Sequence, residues 1–92
     1  MISIKHEELP TYAATLANAE GPMPGRVSAL ICLRTVGAVE AVDALIEAFH
    51  KEPRSDLLRH EICYSLGQMN KTPEHVAKIE AFFEDLLTKE YP

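Results

Sequence analysis

The residues most able to do chemistry in this sequence are His60 and Glu61, adjacent in Leu58-Arg59-His60-Glu61-Ile62. An imidazole nitrogen and a carboxylate oxygen are both ligands for zinc, iron and manganese. Neighbours on a helix point about 100° apart, so the two need not hold one ion. One can ligate while the other orients a ligand, a water or a substrate amine. A single pair does not complete a site. A redox iron centre commonly asks for a two-histidine, one-carboxylate set per metal, so further donors must come from elsewhere. The bland reading is a surface histidine, with Glu61 ion-paired to a neighbour such as Arg54.

Other candidates carry less. His6-Glu7 is a second His-Glu dipeptide, but it lies near a frayed N-terminus. Glu74-His75 falls in a loop or first helical turn and reads as solvated. His50 sits at a helix C-terminus, where the macrodipole favours a cation. Cys32 and Cys63 form no CxxC and no zinc spacing, which reads as packed free thiols. The triplet Asn70-Lys71-Thr72 matches a glycosylation acceptor only by chance. No Gly-rich phosphate loop and no GxSxG elbow is present. Tyr12, Phe49, Tyr64, Phe82 and Phe83 sit at helix-stripe spacing and read as core.

The elements that must position these residues are helical. Pro10 suits a first turn, so one helix runs from Glu7 or Pro10 to Asn18. The stretch from Glu20 to Gly25 is a break. A second helix runs from Gly25 or Arg26 to Val36, with Val27, Leu30 and Ile31 as its apolar stripe. Gly37 follows, where a chain leaving a helix needs the left-handed conformation. A third helix spans Val39 to His50 and places Val42, Leu45, Ile46 and Phe49 on one face. Ser55 is an N-cap with Asp56 in the first turn, and the fourth helix runs to Leu66 and Gly67. Thr72 caps a last helix from Pro73 to Leu87. Only five residues follow that greasy segment, which reads as a chain cut short.

The sequence also repeats itself. Ser28 to Gly37 can be laid on Leu58 to Gly67 at an offset of 30 residues, with the glycines coinciding. Val42 to Glu47 matches Ile79 to Glu84 at an offset of 37. In that register His60 and Glu61 replace Leu30 and Ile31, a substitution that packing alone does not explain. Helical hairpins repeating near thirty residues predict an all-α fold, an α-solenoid of HEAT-like hairpins with about two repeats and a leading helix. Residues 1–92 form one domain of it.

Composition bounds the rest. Nine basic against 14 acidic residues give a net charge of −5. That excludes a basic nucleic-acid face and a polybasic membrane anchor. The N-terminus has no apolar signal core, and no run approaches the ~20 apolar residues of a membrane helix. The expectation is a soluble, cytoplasmic protein.

From Leu57 to Met69 the sequence resembles deoxyhypusine hydroxylase. The shared stretch is hydrophobic, basic, His60-Glu61, Tyr64, then Leu66-Gly67-Gln68-Met69. Upstream, Arg26 to Arg34, Gly37 and Glu40 to Leu45 are similar to the repeat before that motif. The resemblance implies an α-solenoid in two halves, whose four His-Glu motifs hold a non-haem di-iron centre. It implies a dioxygen-dependent monooxygenase that hydroxylates the deoxyhypusine side chain of eukaryotic translation initiation factor 5A. His60 is then an iron ligand. Glu61 is the catalytic carboxylate, either a ligand itself or the group that contacts the substrate amine. Only one in-register His-Glu pair occurs, so the chain resembles an N-terminal portion of the enzyme and is expected to be inactive alone. Two alternatives follow from the residues: a non-catalytic HEAT-repeat scaffold, or a homodimer that joins two His60-Glu61 pairs across a twofold axis.

Overall fold

A computed structural model describes residues 6–90 of the chain. Among them there are five α-helices and no strand. A 3-10 turn over His6–Glu8 leads into α1 (Leu9–Ala17). Then come α2 (Met23–Val36), α3 (Val39–His50), α4 (Asp56–Gly67) and α5 (Pro73–Glu90). Their contacts run in chain order: α1 against α2 and α3, α2 against α3 and α4, α3 against α4 and α5. The result is a slab of 44 × 32 × 17 Å, two helical layers thick, as the helical-hairpin solenoid requires. None of the described helices is long and apolar enough to cross a membrane.

The caps explain the boundaries. Ser55 Oγ accepts from the Leu58 backbone N–H at 3.0 Å, which starts α4 where the sequence places it. Thr72 Oγ1 accepts from the His75 N–H at 3.3 Å and starts α5. Gly37 takes φ 67° and closes α2 in the left-handed conformation, with its N–H on Leu33 O. The second helix begins earlier than the sequence indicates. Met23, Pro24 and Gly25 are already helical, because proline is tolerated where the first-turn N–H has no acceptor anyway. The last helix also extends past Leu87, to Glu90.

The core is built by Leu16 of α1, Leu30 and Leu33 of α2, Val42 and Leu45 of α3, Leu58, Ile62 and Leu66 of α4, and Phe82 of α5. This corrects two expectations. Val27 and Ile31 are not on the buried stripe of α2; they are exposed, and Arg26, Ala29, Leu30 and Leu33 are buried instead. Tyr64 is not core either: it is exposed, and its hydroxyl accepts from Gln68 Nε2 at 3.0 Å.

The repeat register changes as well. Met23 and Asp56 open equivalent helices 33 residues apart, and Val39 and Pro73 open the following pair 34 apart. At those offsets buried falls on buried: Ala29 on Ile62, Leu33 on Leu66, Ala41 on His75, Leu45 on Ile79, Ala48 on Phe82. The glycine-to-glycine alignment at 30 misleads because the two helices end differently. Gly37 is a left-handed cap, whereas Gly67 is the last helical residue with φ negative. In the structural register His60 and Glu61 answer Val27 and Ser28, which are also exposed. The pair therefore replaces no buried residue and incurs no desolvation penalty of the kind that core burial would impose.

Candidate functional site

The two dipeptides His60-Glu61 and Glu74-His75 behave oppositely. His60 and Glu61 lie on the solvent side of α4. Their side chains are 74% and 45% exposed, and His60 Nδ1 lies 3.7 Å from Glu61 Oε1. Arg54 does not reach Glu61. It turns to Glu20, at 3.4 Å, because the loop after α3 directs it towards the α1–α2 connection. Glu61 thus has its own neighbour, His60, as its nearest polar side chain.

His75 is the reverse, and solvation was the wrong expectation for it. It is 4% exposed. Its Nε2 meets the Gly37 carbonyl at 2.8 Å, and its Nδ1 meets Thr72 Oγ1 at 2.7 Å. A carbonyl only accepts, so Nε2 carries the proton and the threonine hydroxyl donates to Nδ1. Both ring nitrogens are used within the chain. His75 fastens the start of α5 to the α2–α3 corner and has no lone pair for a metal. The pattern Thr-x-x-His behind a proline is the signal that marks it, a cap residue with its own side chain turned inward.

A second buried group escaped the sequence reading altogether. Arg26 and Glu52 are 2% and 4% exposed and approach to 2.7 Å. The Arg26 Nη2–Glu52 Oε1 approach is close in distance but poorly directed as a hydrogen bond. Arg26 Nε donates to Leu16 O at 3.0 Å, near the end of α1. The second oxygen of Glu52 accepts from the backbone N–H groups of Arg54 (2.9 Å) and Ser55 (2.7 Å). The Glu52 carbonyl accepts from Arg59 at 2.6 Å, and Arg59 also pairs with Asp56. Burial pushes the Glu52 carboxyl up. The Ser55 and Arg54 amides and the Arg26 guanidinium outweigh it and hold the group below the usual carboxylate range. This network orients the N-terminus of α4, and so sets where His60 and Glu61 emerge.

Beside the pair lies a groove of about 320 Å³ between α2 and α4. Met23, Val27, Ile31 and Leu57 wall it, and Arg34 and Glu61 are its charged residues. All four apolar residues are among the exposed large hydrophobics. Cys32 and Cys63 are half-buried free thiols, and burial raises the Cys63 thiol, consistent with packing rather than reactivity.

Sequence comparison bears on this face. A Gallus gallus deoxyhypusine hydroxylase is 38% identical over 66 residues, covering 72% of this chain and 21% of that protein. A Cryptococcus neoformans protein of the same name is 41% identical over 73 residues, 77% of this chain and 20% of its own. A Xenopus laevis one is 35% identical over 88 residues, 92% of this chain and 28% of its own. This chain is a partial relative of deoxyhypusine hydroxylase. It spans between a fifth and just over a quarter of the length of these curated relatives. No protein-family model matches it, and no solved structure matches it.

The iron that the deoxyhypusine hydroxylase family implies fits the kind of donors on α4 but not their number. One accessible imidazole and one accessible carboxylate are suitable ligands. Among the described residues, no group of three or more His, Cys, Asp or Glu side chains is placed to hold a metal ion.

Proposed function

We propose that His60 and Glu61 are this chain's share of the iron centre of a deoxyhypusine monooxygenase. The protein substrate is eukaryotic translation initiation factor 5A in its deoxyhypusine form, and the setting is the cytoplasm. The observation that carries the reading is the accessible His60–Glu61 pair, on a chain related over most of its length to proteins of that name.

The roles follow from the chemistry of the two side chains. His60 Nδ1 is the ring nitrogen on the Glu61 side, which leaves Nε2 as the one to offer a metal. Glu61 either completes the ligation or contacts the substrate amine. Iron, when bound, supplies dioxygen activation. The net charge of −5 favours the approach of a cationic side chain. Two donors are too few for a redox iron site, so this chain alone is inactive and other His-Glu pairs complete the centre.

The test is anaerobic Fe(II) titration of the protein, with iron counted per chain after desalting, for the parent, His60→Ala and Glu61→Ala. Iron that the parent retains and His60→Ala loses supports the reading. Iron that the parent retains and neither substitution lowers overturns a metal role for this pair; no iron on the parent means that the pair holds none without the other donors. The second reading, a non-catalytic HEAT-like scaffold, is favoured by the apolar groove beside Glu61. It expects partner binding that His60→Ala leaves unchanged.

A further inference from the structure

We draw no further inference here: the strongest candidate, the apolar groove between α2 and α4 walled by Met23, Val27, Ile31 and Leu57, is an unpartnered face, and nothing in the structure shows what covers it.

Discussion

Two charged pairs occupy successive parts of this small fold, and their surroundings separate their roles. Arg26 and Glu52 are enclosed at the junction of α1, α2 and the α3–α4 turn, with backbone groups bound to both. His60 and Glu61, one helical turn beyond that junction, stand in solvent with only each other. The first pair is surrounded by partners that folding brings to it. The second is held in place by the first, through Ser55 and Arg59, and is left open. Charge alone does not mark a functional residue; an accessible, incompletely partnered charge on a rigid element does.

Breaking the buried pair sharpens the contrast most. Arg26→Ala or Glu52→Ala leaves an uncompensated buried charge and is expected to destabilise by about 3–5 kcal/mol. Urea unfolding followed by circular dichroism measures it, and a loss below about 1 kcal/mol refutes the structural role given to the pair. His75→Ala comes next. It strands the Gly37 carbonyl and removes the tie to α5, for an expected loss of about 1–3 kcal/mol.

Gly37→Ala is smaller still, about 1 kcal/mol, because an L side chain is strained at φ 67°. At the other pole, His60→Ala and Glu61→Ala are expected to change stability by no more than about 0.5 kcal/mol, as exposed sites do. Iron retention is the property they should lose. A large destabilisation by His60→Ala ends the claim that the pair is free for function.

Acid offers a further separation. The Glu52 carboxyl titrates below its unfolded value, so the native state binds fewer protons than the unfolded state. Its contribution is complete above the unfolded value of about 4.3 and is lost as pH falls through the lower native one. Stability of the parent should therefore decline in that window. Glu52→Gln should start lower and show a shallower decline.

Much of the fold was legible in local chemistry. The span of α3, Ser55 as the cap of α4, Thr72 as the cap of α5 and the left-handed Gly37 all follow from side chains acting within four residues of themselves. The pair His60–Glu61 was legible by residue type. The buried face of α3 was legible too, since Val42 and Leu45 are in the core with Ile46 and Phe49 packed against it, but the inward face of α2 and the turn of His75 were not. Val27 and Ile31 are apolar and Arg26 is charged, yet Arg26 is the one that goes inside. A guanidinium becomes acceptable there only when Glu52, 26 positions away in sequence, is beside it. His75 is the same case, since Gly37 is 38 positions away.

The sequence by itself thus determined the helices, the capped ends at Gly37, Ser55 and Thr72, and the chemical kind of the candidate site. Those rest on capping, periodicity and ligand type, which are properties of short stretches. Tertiary structure alone decided the repeat register, the buried Arg26–Glu52 network, the inward turn of His75 and the apolar groove beside Glu61. Each depends on groups distant in sequence meeting at packing or hydrogen-bond range.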